Sequence, residues 1–142
     1  NVEALNSKFS IEVRPVEWAT YLDELTANKL TLFILGWGAD YPDPHNFVHP
    51  FMHTDGSFSA FQSYSNPAVD ALIAEGIATV DPAKRQEIYY QLQAIYYEDV
   101  PSVGLYQPLE RRYERDWVEG WYYNSVVPNS NTVSYLYSIS KG

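Results

Sequence analysis

The stretch best equipped for chemistry is a short loop that places two carboxylates beside two aromatic rings. It comprises Gly36, Trp37, Gly38, Ala39, Asp40, Tyr41, Pro42, Asp43 and Pro44. Glycine lets the backbone turn sharply and approach a bound group closely, and proline stiffens the exit from the turn. Two interpretations stay open on these residues alone. The loop forms a ligand site around Asp40, or it is a tight strand-to-helix turn in which Asp43 caps the next helix.

The run before this loop predicts the element that positions it. Residues 30–35 are the most apolar stretch of the chain, with no charge and no alternation. This pattern predicts a strand buried on both faces, as in the parallel sheet of an α/β domain. Ligands bind at the carboxyl ends of the strands in open α/β sheets. The loop is therefore predicted to lie at a ligand-binding edge.

An upstream strand and helix complete a predicted βαβ unit. Residues 9–14 alternate apolar and polar side chains, which predicts a strand with one exposed face. Apolar residues then recur at helical spacing from Trp18 to Leu25, and Asn28 suits a left-handed stop. Crossovers of this kind are right-handed in nearly all cases, so the two strands are predicted to be parallel.

Residue pairs ending in proline predict the helices that follow the loop. Asp43-Pro44 predicts a helix start, and Pro50 is predicted to end or kink that helix. Asn66-Pro67 and Asp81-Pro82 open two longer amphipathic helices. Because the junction between them is short, they are predicted to form a helical hairpin packed on the sheet.

Composition excludes several classes of function. The 142 residues carry Lys+Arg 9 and Asp+Glu 18, for a formal net charge of -9, which repels phosphate backbones and argues against nucleic-acid binding. There is no cysteine, which excludes thiolate metal sites and disulfides. The 13 tyrosines outnumber the 6 phenylalanines, and this surplus of hydroxyls favours a ligand-lining role for part of the set.

Three histidines raise the possibility of a metal site. His45, His49 and His53 recur at intervals of four, which on a continuous helix would stack their imidazoles on one face near Asp40 or Asp43. Pro50 is predicted to break the helix that this arrangement needs. We therefore predict no metal and no cofactor.

Catalysis has little support in the sequence. Asp40 and Asp43 could flank a sugar held by Trp37, as the acid and base of a glycosidase do. Carboxylates three residues apart on a proline-stiffened loop rarely have the opposed geometry that this reaction requires. The chain also lacks a Gly-x-Ser-x-Gly sequence, a P-loop and a dinucleotide fingerprint. We predict that the protein is not an enzyme.

The order of features resembles the C-terminal part of family 5 extracellular solute-binding proteins, the peptide-binding receptors of ABC importers. The residues that carry it are Ile11-Glu12-Val13 to Trp18, Gly36 to Pro44, Tyr64 to Leu72, Asp81-Pro82 with Arg85 and Tyr89, and Asp99-Val100-Pro101 with Leu105-Tyr106. The resemblance covers nearly the whole chain, and family members are several times longer. It departs at Lys8-Phe9-Ser10, where the family usually has a glycine.

The resemblance implies a fold and a function. The fold is an α/β fragment of a two-lobed, type II periplasmic-binding-protein-like architecture, located in the periplasm or at the extracellular face of the membrane. Its partners are a peptide ligand, bound between the lobes, and the permease subunits of an ABC importer. Asp40 corresponds to the aspartate that binds the ligand's terminal ammonium. The other implied ligand contacts are Trp37, Gly38, Ala39, Tyr41 and Tyr106.

The resemblance also implies a division of the chain. Residues 1–108 form the C-terminal part of the second, ligand-binding lobe, and residues 109–142 return to the first lobe. Independently of the resemblance, the alternation of Val103 and Leu105 predicts a further strand through Tyr106. At Ile34, oligopeptide receptors have an arginine that can bind a carboxylate, so that contact is absent here. The alternative function is an independent carbohydrate-binding module or glycoside-acting enzyme that uses Trp37 and Asp40.

Overall fold

The computed structural model describes residues 2–107, 109, 111–122 and 138–142, and its chain divides into two compact units, Asn1–Phe33 and Ile34–Gly142. The first unit contains a single 3-10 turn at Val2–Ala4 and the helix α1 at Trp18–Thr26. Asn28 follows α1 with φ of 51°, and the Lys29 amide donates to the Glu24 carbonyl at 2.9 Å. These are the bonds of a left-handed helix stop, so the prediction for Asn28 is confirmed.

The described residues of the second unit form four helices. They are α2 at His45–Met52, α3 at Ser57–Phe61, α4 at Pro67–Ala78 and α5 at Pro82–Asp99. A short antiparallel pair, β1 at Val118–Glu119 and β2 at Ser140–Lys141, lies in the same unit. No helix in the described ranges is long and apolar enough to cross a membrane.

Local capping explains why α4 and α5 begin where they do. Asn66 Oδ1 accepts the Ala68 amide at 3.1 Å, and Asp81 Oδ1 accepts the Lys84 amide at 2.8 Å. Proline occupies the first turn of each helix, where its missing N–H costs nothing. The predicted helix starts and the helical hairpin are confirmed.

The core of the second unit joins this hairpin to α2. Its buried side chains come from all three helices: Val48, Met52, Val69, Ile73, Ile88, Tyr89 and Leu92. Gly76 of α4 faces Ile88 and Tyr89 of α5, whose side chains would lie 3.4–3.6 Å from a Cβ placed there, an ordinary van der Waals contact. The hairpin therefore packs on a helix, whereas the sequence predicted that it packs on a sheet.

The structure corrects the predicted βαβ unit. Residues 9–14, 30–35 and 103–106 form no strand, and their apolar side chains are largely exposed, with Val13 85%, Leu32 80% and Val103 70% exposed. A strand needs a neighbour to bond its backbone N–H and C=O groups. Among the described residues the β1–β2 pair is the one ladder, and these three ranges are not part of it.

Part of the predicted organisation lies outside the described residues. The predicted crossing between lobes includes Pro108, and the predicted return segment includes residues 123–137, none of which the structure describes. The division at residues 1–108 and 109–142 therefore stays a prediction.

Candidate functional site

The carboxylate loop is held by one buried asparagine in the first turn of α2. Trp37 donates its indole Nε1–H to the Asn46 main-chain oxygen at 3.0 Å. The Asp40 amide donates to Asn46 Oδ1 at 2.9 Å. Asn46 is only 7% exposed, so both bonds are partly shielded from water. Two of the predicted ligand-binding residues are thus bonded to Asn46. Trp37 is bonded to its main-chain oxygen, and Asp40 is bonded to its side chain.

Pro50 explains why the Asn46 carbonyl is available to Trp37. In an α-helix the amide of residue 50 would bond the carbonyl of residue 46, but proline has no amide hydrogen. Of the two outcomes predicted for Pro50, an end or a kink, the structure excludes the end, because α2 continues to Met52 with Pro50 inside it. The missing intrahelical bond is replaced by the bond from the Trp37 indole.

The Trp37 ring is supported from one side by phenylalanines of α2 and α3. Its centroid lies 5.4 Å from that of Phe58 and 6.3 Å from that of Phe51, with near-perpendicular ring planes. Edge-to-face pairs of this kind are favourable. Trp37 remains 37% exposed, so part of its surface is available to a ligand.

The close approach of α3 to α2 depends on Gly56. A Cβ placed at Gly56 would lie 2.2 Å from the His49 carbonyl oxygen and 2.6 Å from the Pro50 carbonyl oxygen. Only glycine allows the chain to start α3 there, and α3 carries Phe58 to the Trp37 ring.

The remaining loop residues differ in what they offer. The Asp40 side chain is exposed, and no hydrogen bond or ion pair to its carboxylate occurs among the described residues. Gly38 and Ala39 are half-buried between the two anchored positions. Tyr41 is 43% exposed and borders a shallow depression of about 420 Å³ that Asp43, His45 and Arg85 also line. The free functional groups of the loop are therefore the Asp40 carboxylate and part of the Trp37 and Tyr41 rings.

Asp43 has a different role from Asp40. Its Oδ1 accepts the His45 amide at 2.8 Å and also the Arg85 Nη2–H at 2.7 Å. The hydrogen bond from Arg85 is the main cause that lowers the pKa of Asp43, against the opposing effect of burial. The predicted cap on α2 is confirmed, although the helix itself begins at His45.

Arg85 connects this loop to both helices of the hairpin. Besides Asp43, the guanidinium donates from Nε to the Gly76 carbonyl at 3.0 Å and from Nη2 to the Tyr89 hydroxyl at 2.9 Å. It also lies 4.9 Å from the centre of the Tyr89 ring. Because Asp43 is already paired with Arg85, the two loop carboxylates do not form the matched acid and base that glycoside hydrolysis needs.

The three histidines stack along one face of α2 and its end. The ring centroids of His45 and His49 are 5.3 Å apart, and those of His49 and His53 are 4.7 Å apart and nearly parallel. The predicted break of their register at Pro50 is therefore wrong. Within the ranges that the structure describes, no group of three or more histidine or acidic side chains is arranged to hold a metal.

Burial is the first cause that lowers the pKa of His49, and the charges of His53 and His45 act in the same direction. The Asp70 carboxylate faces this stack, since His53 Nε2 and Asp70 Oδ1 are 4.0 Å apart. Asp70 also accepts the Thr54 amide at 2.8 Å and the Thr54 hydroxyl at 2.6 Å. These bonds anchor the chain just after α2 to the first turn of α4.

Tyr106 is not brought to the loop. It is 81% exposed, and no hydrogen bond or ring contact within the described part of the chain joins it to Trp37 or Asp40. Asn46, by contrast, is a site residue that the sequence patterns did not predict. The available signal was a proline four residues after an asparagine, which leaves that asparagine's carbonyl without its helical donor.

Comparison with known proteins finds relatives among binding proteins. The chain is 30% identical to di/tripeptide-binding protein 4 of Pseudomonas aeruginosa, over 84% of this chain and 23% of that protein. It is 28% identical to the periplasmic oligopeptide-binding protein OppA of Salmonella typhimurium, over 82% of this chain and 21% of that protein. It is 32% identical to heme-binding protein A of Haemophilus influenzae, over 75% of this chain and 21% of that protein.

The chain spans about a fifth of the length of these curated relatives. No protein-family model and no solved structure matches it. The predicted periplasmic or extracellular location agrees with the names of relatives that are called periplasmic.

Proposed function

The chain belongs to the family 5 extracellular solute-binding proteins, and on that premise we propose that it forms part of the ligand site of a peptide receptor for an ABC importer. Several of its relatives are named as binding proteins for dipeptides, tripeptides or oligopeptides, and they are not named as enzymes. A substrate-binding role without catalysis is the common element of these names. In the proposal the peptide is bound between two lobes and passed to the membrane permease.

The Asp40 carboxylate is the observation that carries the proposal. It is an exposed acidic group, without a partner among the described residues, and Asn46 holds both its own backbone amide and the indole of nearby Trp37. We assign it the terminal ammonium of the peptide, with the exposed parts of Trp37 and Tyr41 beside the first residue. An ammonium–carboxylate hydrogen bond is among the strongest polar contacts once water is excluded.

The division of the chain extends this proposal. Residues 1–108 would belong to the ligand-binding lobe, and residues 109–142 would return to the first lobe. Tyr106 would then lie near the crossing between lobes and reach the ligand only in the complete receptor. Its high exposure in this chain is compatible with a contact that the other lobe completes.

The alternative function, a carbohydrate-binding module or glycoside-acting enzyme, has less support. Asp43 caps α2 and pairs with Arg85, so it is committed to holding the loop. A sugar-binding role would leave Trp37 as the main contact, and none of the three relatives compared above has a carbohydrate-binding name.

The test compares peptide affinity in the full-length receptor that contains this chain, using trialanine with a free and with an acetylated amino terminus. Loss of the carboxylate in Asp40→Asn would leave a buried ammonium unpaired, which costs about 2–5 kcal/mol, or roughly thirty- to several-thousand-fold in affinity for the free peptide. Asp55→Asn is the matched control, because Asp55 is exposed and lies outside the loop.

Acetylation should weaken binding to wild type and to Asp55→Asn, and it should have little further effect on Asp40→Asn. Equal affinity of wild type for the two peptides, or full affinity of Asp40→Asn for the free peptide, would show that Asp40 does not bind the ammonium.

A further inference from the structure

The structure assigns Asn46 as the positioning residue of the ligand-binding loop: it sets the Asp40 carboxylate in place before the peptide arrives. This inference rests on the proposed role of Asp40 and identifies the side chain on which that role depends. Asn46 itself does not touch the ligand in this proposal. It acts through the backbone of Asp40 and through the indole of Trp37.

The two bonds that Asn46 accepts fix the loop at two points. One comes from the Trp37 side chain to the main-chain oxygen, and the other comes from the Asp40 amide to Oδ1. Only Gly38 and Ala39 lie between the two anchored residues. A glycine-containing segment would otherwise sample many backbone conformations, so two anchors remove most of that freedom.

The first turn of α2, which contains Asn46, is itself held by hydrogen bonds. Its amide donates to the Asp43 carbonyl at 3.0 Å, and Asp43 is held in turn by Arg85 of α5. On the same helix, Val48 and Met52 belong to the buried core. Through Asn46, the loop is therefore held in a fixed position relative to the packed helices.

The side-chain and main-chain bonds of Asn46 respond differently to mutation. Alanine at position 46 removes Oδ1 and leaves the Asp40 amide without its acceptor, while the main-chain oxygen that holds Trp37 remains. Aspartate at position 46 keeps an oxygen in the same place. We therefore expect Asn46→Ala to lose affinity for the free peptide because the Asp40 carboxylate is no longer held in place. Asn46→Asp should regain most of that affinity.

The experiment is a double-mutant cycle between Asn46→Ala and Asp40→Asn in the full-length receptor, with free and N-acetylated trialanine as probes. We expect Asn46→Ala to weaken binding of the free peptide about tenfold and to reduce the ratio between the two peptides. In the Asp40→Asn background the same change should cost less than about twofold, because there is no longer a carboxylate to position. Asn46→Asp should recover most of the affinity.

Asn66→Ala is the matched control. Asn66 also accepts a backbone amide through Oδ1, at 3.1 Å from the Ala68 amide, but it does so at the start of α4 and away from the loop. Its effect on affinity should be equal for both peptides and additive with Asp40→Asn. Hydrogen exchange gives a second measurement that needs no ligand, since the Asp40 amide should lose protection in Asn46→Ala and keep it in Asn46→Asp.

Two failures are distinguishable. If wild type binds both peptides equally, the proposed role of Asp40 is wrong, and this inference falls with it. If wild type discriminates between the peptides but Asn46→Ala leaves their ratio or the Asp40 amide protection unchanged, the assignment of Asn46 alone is overturned.

Discussion

The guanidinium of Arg85 should make a large polar contribution to the stability of the second unit. It donates three hydrogen bonds, to the Asp43 carboxylate at 2.7 Å, the Gly76 carbonyl at 3.0 Å and the Tyr89 hydroxyl at 2.9 Å. Replacing Arg85 with methionine keeps much of the aliphatic stem and removes all three donors. The change therefore isolates the polar network from the packing of the side chain.

The magnitude follows from the exposure of the ion pair. A hydrogen bond with a charged partner contributes about 1.5–3 kcal/mol when buried, and an exposed ion pair contributes about 0–1 kcal/mol. The Arg85 and Asp43 side chains are 25% and 33% exposed, so solvent screening keeps their pair between these limits. With the two further donors included, Arg85→Met should lower the free energy of unfolding by about 2–4 kcal/mol.

Urea denaturation of the chain, followed by the helical circular dichroism signal, measures this loss. Lys84→Met is the matched control, because it removes the same charge from the neighbouring, exposed position of α5. Asp43→Asn should have an intermediate effect, since an amide oxygen can still accept the His45 amide. An unfolding free energy for Arg85→Met within about 0.5 kcal/mol of wild type would refute the network as a stabilising unit.

Acidity provides an independent check on the same pair. The folded-state pKa of Asp43 is lowered, chiefly by the hydrogen bond from Arg85, so the folded protein binds the proton less readily than the unfolded chain. The stability that the pair contributes is present above the ordinary carboxyl pKa and is lost as the pH falls through the lowered value. The difference between wild type and Asp43→Asn should therefore shrink on acidification below about pH 4.

Two further predictions concern α2. Gly56→Ala should lower the free energy of unfolding by at least about 1–3 kcal/mol, because its Cβ would lie 2.2 Å from a carbonyl oxygen. Gly104→Ala, with no atom within 4 Å of the new Cβ, should have little effect, and equal thermal shifts for the two variants would contradict the close approach of α3 to α2. Burial, and then the charges of His53 and His45, lower the pKa of His49, so the stability that neutral His49 provides should be lost as the pH falls below the ordinary histidine pKa of 6.5. The urea midpoint should therefore decline between about pH 7 and pH 5, and His49→Gln should make that decline smaller.

Local signals account for the parts of the fold that could be predicted from the sequence. The starts of α4 and α5 rest on a cap and a proline within three residues, and the left-handed stop at Asn28 rests on its own backbone preference. Such features need no distant partner. The predicted strands failed for the opposite reason, because an apolar run becomes a strand only when a neighbour bonds its backbone.

The site was predictable only as far as its loop. The sequence identified Asp40 and Trp37 as candidates, but the bonds that hold them come from Asn46, whose burial depends on how α2 packs. Pro50 misled the prediction for the same reason. Its missing amide is harmless where a tryptophan from another segment takes the free carbonyl, and no local pattern reveals that partner.

The way the core is assembled from α2, α4 and α5 has a consequence for the order of folding. These helices come from one continuous stretch, residues 45–99, and α4 and α5 are neighbours along the chain. Contacts of short sequence separation close early, because little loop entropy is lost in forming them. This helical body should therefore form early, while residues 100–142 are still being synthesised.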